Sequence, residues 1–380
     1  MPLLVAGAVL AVSLALTGFA WRGARAAQED RLRAVFDLGV AEAERLVLER
    51  LKDDERVLEG VSGLFAASGD VSRSEFQRYV GALDLPGSLP GIQVVGFQKA
   101  VAPGALADHV AAVRGEGFPD YAVRPEGRRE LHAPVVFVEP ASPVNLRALG
   151  FDPLGEPSRR EALERARDTG RVALSGSVTL VQDVGAKPVP GAVLYLPLYR
   201  PGSPSETPAA RRDGILGWVY LAFRVDDLVR GALGDALPEL DVAVFDGETP
   251  AADRTLDLPR APPLENRGAG DRLETERQLD VAGRRWVLVA RSTDALEQRV
   301  GAGQATVTGI AGVAVSVLLA ALAFRSASAR LRSVTSWIIA TPSLAGRPAS
   351  STGCRCTSMT RPSSSTSMVC MYGLASVSGS

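Results

Sequence analysis

The chain has 380 residues, enough for two or three domains, with a net charge of −1 and a mean hydropathy of +0.09. The balance of 42 basic and 43 acidic residues excludes a strongly basic nucleic-acid binder and an acidic disordered tail, so nucleic acid is not expected as a partner. Cys354, Cys356 and Cys370 all lie in the last 27 residues, which excludes a disulfide framework in the body of the chain.

Residues 2–20 carry no charge. Nineteen helical residues span about 28 Å, close to the hydrocarbon thickness of a bilayer. A cleaved signal peptide is the alternative, but there is no basic n-region and the apolar run exceeds the usual h-region. Residues 301–324 form a second uncharged run, rich in Gly, Ala, Val and Leu, and Arg325, Arg330 and Arg332 follow it. Positive charge beside a membrane end favours the cytoplasmic side, so the C-terminus is expected there, and two crossings return the N-terminus to the same side. Trp21, Arg22 and Arg25 fall on the outer face, mildly against that rule. The region between is long enough to translocate regardless of charge. For the second run the alternative is a buried core helix.

Between the two runs, residues 27–67 read as one long helix without proline, with apolar residues at helical spacing from Leu32 and Phe36 through Val47 and Leu58 to Phe65. It is expected to act as a stalk that continues the first membrane helix and pairs with a second subunit; packing on its own domain is the plainer reading. A short helix over Ser74–Leu83, capped near Ser72 or Ser74, comes next, then a turn at Leu85–Gly91. Strands are expected at Ile92–Ala100, Ala133–Glu139, Val172–Gln182 and Ala192–Tyr199. Helices are expected at Ala105–Arg114 and at Pro157–Thr169, the latter stopped by Gly170. A Pro/Gly/Ser loop over Arg200–Pro208 is followed by strands at 214–224, 240–246 and 284–291, a helix at Val225–Leu233 and a long loop at Thr249–Gly270. This order of elements predicts an α+β protein with two small modules in tandem, each built on a mainly antiparallel sheet.

One stretch is specific. Asn145–Asp152 (NLRALGFD), Arg159-Arg160, Arg165–Gly170 (RARDTG), Leu174-Ser175 and Leu180-Val181-Gln182 resemble the CHASE domain. That is the extracellular sensor of many bacterial histidine kinases and cyclases and of the plant cytokinin receptors. Tyr79-Val80, Leu89–Gln93 (LPGIQ) and Pro134–Phe137 (PVVF) fit as well, and the resemblance covers about residues 70–225. It implies a long stalk helix followed by two PAS-like modules, flanked by two transmembrane helices. The domain plan is then a membrane helix at 1–20, a stalk at 21–70 and a membrane-distal ligand-binding module at 71–200. A membrane-proximal module at 201–300, a second membrane helix at 301–324 and a cytoplasmic tail at 325–380 complete it. It also implies a homodimeric two-pass receptor of a bacterial inner membrane, its sensor periplasmic or extracellular, binding an adenine-type or other small metabolite without a cofactor.

Carried over by motif, Asp152 is similar to the family's ligand-bonding aspartate. Leu174 resembles the residue whose backbone meets the ligand, and Thr169 matches a threonine tied to binding. The polar position past Leu180 falls at Gln182 or Asp183. A carboxylate can accept from an exocyclic amine, or donate to a ring nitrogen if protonated. Plainer readings are a turn residue before Pro153 for Asp152 and a helix-end residue for Thr169. Arg159, Arg160, Arg165 and Arg167 read as a solvated helix face.

Catalysis is not expected in the chain as given. His109 and His132 are its only histidines, and no P-loop, G-x-S-x-G or GGDEF-like run occurs. An anchored hydrolase and a ligand-free dimeric scaffold are the other functional classes. A histidine kinase or diguanylate cyclase is expected beyond the second membrane helix, yet residues 333–380 contain no Asp, Glu, Lys or His. That tail reads as a shifted frame or a truncated gene, and Cys354-x-Cys356 lacks the spacing of a zinc site.

Overall fold

The computed structural model describes residues 1–183, 189–234, 236–248, 273–300 and 303–340. The loop expected at Thr249–Gly270 and the tail from 341 onward lie outside the described residues. The chain divides into two compact units, one of Val9–Leu319 and one of Met1–Ala8 with the segment from Ala320 onward. The smaller unit is helical over Pro2–Ala8 and Ala320–Ala340. Among the described residues every strand belongs to the larger unit, Val9–Leu319.

Helix α1 runs from Pro2 to Ala67, so the apolar segment and the expected stalk are one helix. No proline follows Pro2 in this stretch to break it. Next come α2 (Arg73–Ala82), a single turn α3 (Leu85–Ser88), β1 (Ile92–Lys99), α4 (Leu106–Gly115) and β2 (Val135–Glu139). Ser72 caps α2 in a full capping box with Glu75. Helix α5 (Pro157–Thr169) begins with proline in its first turn and ends at Gly170, whose φ of 72° is the left-handed conformation a C-cap requires. Then come β3 (Ala173–Leu174), β4 (Val178–Thr179), β5 (Pro190–Tyr199), α6 (Pro208–Gly214), β6 (Ile215–Arg224) and α7 (Val225–Leu233). The chain closes with β7 (Leu240–Asp246), β8 (Glu274–Val281), β9 (Arg284–Ser292), α8 (Asp294–Val300) and α9 (Gln304–Ala340). Helices α1 and α9 are each long and apolar enough to cross a membrane.

Among the described residues there are two antiparallel sheets. The larger has the order β2-β1-β6-β5-β3, with β4 also pairing β5. The smaller has the order β7-β9-β8. The protein is thus a mixed α and β fold with a long N-terminal helix and antiparallel sheets. Two expectations change. The single strand expected at Val172–Gln182 is two short strands and a 3-10 turn (Val181–Asp183), because Ser175 interrupts it: its N–H donates to Val193 O and its hydroxyl accepts from Val193 N–H. The strand expected to open the second module, β6, is the middle strand of the first sheet, paired with β1 on one side and β5 on the other. A boundary at residue 200 would therefore cut the first sheet.

The period-2 alternation gives the larger sheet two buried faces. Val95, Phe97, Leu194, Val219, Leu221 and Phe223 face α1, where they meet Phe36, Val40, Val47, Leu51, Leu58 and Val61. The same core takes in Val244, Trp286 and Leu288 of the smaller sheet, so α1 lies along both sheets. The stripe expected to pair with a second subunit is covered by the chain's own sheets, and Leu38 remains exposed on the helix. The opposite face, with Val94, Val193, Tyr195, Trp218 and Tyr220, packs on Ala162, Leu163 and Ala166 of α5. Trp218 Nε1 donates to Leu163 O at 3.1 Å and fixes the helix to the sheet.

Candidate functional site

A small cleft lies between the α5 face of the larger sheet and the turn Val181–Asp183. Its sheet wall is Gln98 on β1, Val135 on β2, Val193 and Tyr195 on β5, and Tyr220 and Ala222 on β6. Ala148, Phe151, Arg159, Leu180, Val181 and Gln182 close it. The volume is about 30 Å³, room for a water-sized group and far below that of a drug-sized pocket. Leu180 can approach the sheet because residue 191 is glycine: a Cβ there would lie 2.6 Å from Leu180 Cγ.

The chemistry of the cleft comes from buried polar groups. Gln98 Oε1 and the Tyr220 hydroxyl are buried and have no hydrogen-bonding partner among the described residues. Each such group costs about 1–3 kcal/mol, so both are available to a solute that supplies a donor and an acceptor. The Tyr195 hydroxyl faces Gln98 and Arg159. Burial pushes the Tyr195 and Tyr220 hydroxyls well above their ordinary pKa, so both keep their protons at any physiological pH. Arg159, expected in solvent, is buried; it pairs with Glu156, donates through Nη2 to Thr179 O at 3.0 Å and lies 5.0 Å from the centre of the Phe151 ring. Of the other three arginines of α5, Arg160 is exposed as expected, and Arg165 and Arg167 are half-buried. Arg160 donates to Leu154 O, Arg165 to Leu174 O, and Arg167 to Asp168.

Of the residues singled out in the sequence, the structure brings Leu180 and Gln182 to this cleft. The other four are elsewhere. Asp152 is buried behind it, and its carboxylate accepts from Ala133 N–H and Leu154 N–H, each at 3.1 Å, with His132 Nδ1 at 2.9 Å and Arg129 Nη1 at 3.3 Å. It caps the turn at Pro153–Gly155. Thr169 donates back to Arg165 O, the bond of a residue ending a helix. Leu174 lies on the α1 face of the sheet; its N–H donates to Ala282 O and its carbonyl accepts from Arg165, so its backbone is held against the smaller sheet. Asp183 is ion-paired with Arg224.

Gln98, Tyr195, Tyr220 and Arg159 do not stand out as site residues in the sequence. A signal is present for the first. In IQVVGFQK, Gln98 falls on the inward register with Val94 and Gly96, where a polar side chain is out of place unless it has a partner to meet.

Residues 69–256 match the family described as CHASE domain. This stretch is a CHASE domain. It contains the whole larger sheet, the cleft and β7. Among solved structures, the CHASE-bearing chain is similar to an extracellular ligand binding receptor from Desulfohalobium retbaense, at 12% identity and a TM-score of 0.42 over 68% of this chain and 40% of that one. It is also similar to the periplasmic sensory domain of the Campylobacter jejuni chemoreceptor Tlp1, at 9% identity and a TM-score of 0.40 over 70% of this chain and 95% of that one. The chain thus spans about two fifths of the length of the first of these structures. No curated protein matches it in sequence.

Proposed function

We propose that the chain is the sensory part of a two-pass receptor in a bacterial inner membrane, with its CHASE domain on the outer side binding a small solute. The match of residues 69–256 to the CHASE domain carries this reading, since that domain is an extracellular sensor. Two terminal helices of membrane-spanning length and composition support the anchoring. On this reading the two sheets are a distal and a proximal PAS-like module, and two copies of the chain form the signalling unit. The output is a histidine kinase or a diguanylate cyclase outside this chain, and the chain itself is not a catalyst.

The ligand is a compact metabolite, adenine-type or otherwise, that offers a donor to Gln98 Oε1 and an acceptor to the Tyr220 hydroxyl. The cleft widens on binding, and the ligand's differential affinity for the wider state is what shifts the receptor. The test uses the full chain in detergent. Adenine, N6-substituted adenines and small hydroxy acids are screened by thermal shift against the parent protein and a Gln98→Leu variant. A ligand that raises the midpoint of the parent and not of the variant is expected. A screen in which no compound acts, or in which the shift is the same in both proteins, removes the cleft as a sensor site. One observation favours a second reading, a ligand-free dimeric scaffold: the cleft in this state has space for little more than a water molecule.

A further inference from the structure

The larger sheet carries a second and wider concavity on its other side. This groove of about 940 Å³ opens between the C-terminal end of α1, the start of α2, helix α4 and the ends of β1, β2, β5 and β6. The volume is that of a small-molecule site. Its floor is aromatic: Phe97 and Phe137 are buried with ring centres 5.7 Å apart, and Phe65 of α1 lies 4.6 Å from Phe97. Its charges are unevenly matched. Arg73 is engaged by Glu116 at 2.8 Å and by Val136 O at 2.7 Å, with its guanidinium over the Phe118 and Phe137 rings. His109 is held neutral, its pKa lowered to about 4 by burial and by the charge of Lys99. That leaves Lys99 and Asp70, both exposed and both lining the groove. Among the described residues neither has an ion-pair partner, and they are not paired with each other.

From this arrangement we propose that the groove is a second ligand site, for a zwitterion with an aromatic side chain, of the free amino acid class. The carboxylate meets the Lys99 ammonium, the ammonium meets the Asp70 carboxylate, and the ring rests on Phe65, Phe97 and Phe137. Opposite charges lining one groove select against a plain acid or a plain amine, each of which would leave one charge unmatched. The aromatic floor selects for a flat apolar body. Ser62, Phe65 and Ala66 place the last turn of α1 in the wall, so the occupant touches the long helix directly. The site is independent of the cleft, which lies on the opposite face of the sheet.

Three probes test it on the full chain in detergent, by calorimetry or by the chemical shifts of labelled phenylalanine. L-Phenylalanine carries both charges, L-phenylalaninamide lacks the carboxylate, and N-acetyl-L-phenylalanine lacks the ammonium. Charge-assisted contacts of this kind are worth about tenfold each. L-Phenylalanine is expected to bind about tenfold more tightly than either analogue. Lys99→Gln should weaken L-phenylalanine about tenfold while leaving the amide unchanged, and Asp70→Asn should do the same for the N-acetyl form. Both residues are exposed, so the variants are expected to fold, and Tyr220→Phe in the cleft should leave all three affinities as they are. Equal binding of the three probes, no binding of any, insensitivity of L-phenylalanine to Lys99→Gln and Asp70→Asn, or its loss on Tyr220→Phe would each overturn the proposal.

Discussion

His132 Nδ1 lies 2.9 Å from Oδ2 of Asp152, and both side chains are buried, Asp152 completely. Together with the two backbone N–H groups on the carboxylate, the pair ties the strap around His132 to the turn at Pro153. A residue so fully engaged has no bonding capacity left for a solute. Asp152→Ala strands the Ala133 and Leu154 amides and is expected to destabilise the domain by about 3 kcal/mol or more. Asp152→Asn keeps the shape and should cost less. Thermal unfolding of both variants checks this. A near-neutral Asp152→Ala with lost ligand response would instead return Asp152 to the binding site.

The Tyr220 hydroxyl gives an effect of opposite sign. It is buried without a partner among the described residues, so Tyr220→Phe removes an unmet polar group and keeps the packing. The variant is expected to be more stable by about 1 kcal/mol in the absence of ligand, which is a few degrees in melting midpoint. The midpoint shift produced by a cleft ligand should shrink in the same variant. A variant less stable than the parent would show that the hydroxyl is satisfied.

Asp54 predicts a pH dependence. It sits on α1 with no exposed surface, Arg50 is 3.3 Å away, and among the described residues neither carboxylate oxygen has a hydrogen bond. Burial dominates, with Asp53 and Glu55 adding to it and Arg50 opposing it, and its pKa is pushed up to about 7. The unfolded chain holds this proton less tightly, near the ordinary aspartate value of about 3.9. The stabilisation is therefore complete below about pH 4 and is lost as pH rises through about 7, on the order of 4 kcal/mol in all. Asp54→Asn cannot ionise and should flatten the melting midpoint across that window. An unchanged slope in the variant would mean that the dependence arises elsewhere.

Local pattern encodes some of these elements and not others. Helix α5 and its Gly170 cap, strands β1, β7 and β9, and helix α7 are written in periodicity and turn residues, and they fall within a residue or two of expectation. Strand β8 is not legible in the sequence, because ETERQLDV is polar along an edge and buries only Leu279 and Val281. The place of β6 in the first sheet depends on long-range pairing, which its own residues do not record. The site is harder to read for the same reason. Gln98 and Tyr220 meet at one cleft from strands far apart in the chain, and Arg159 looks like any solvated helix arginine until Glu156 and Thr179 O are placed around it.

The junction between the sheets supplies the last test. Asp246, at the end of β7, accepts from Arg284 Nε at 2.5 Å and Nη2 at 2.7 Å, and from Ser177 N–H at 2.9 Å. Ser177 comes after β3 of the larger sheet, while Arg284 opens β9 of the smaller one, so a single carboxylate joins the two. The Leu174 N–H to Ala282 O bond lies beside it. Any change in the cleft that moves the β3–β4 segment must pull on this junction, since Leu180 and Gln182 come directly after it along the chain. Asp246→Ala frees Ser177 and leaves the Arg284 guanidinium without its partner, at an expected cost of about 2–4 kcal/mol. Hydrogen exchange should rise at Ser177 and at Leu174 while the centre of β6, held on both sides, stays protected. Exchange that rises evenly through both sheets would show that Asp246 supports general stability and not a link between the two.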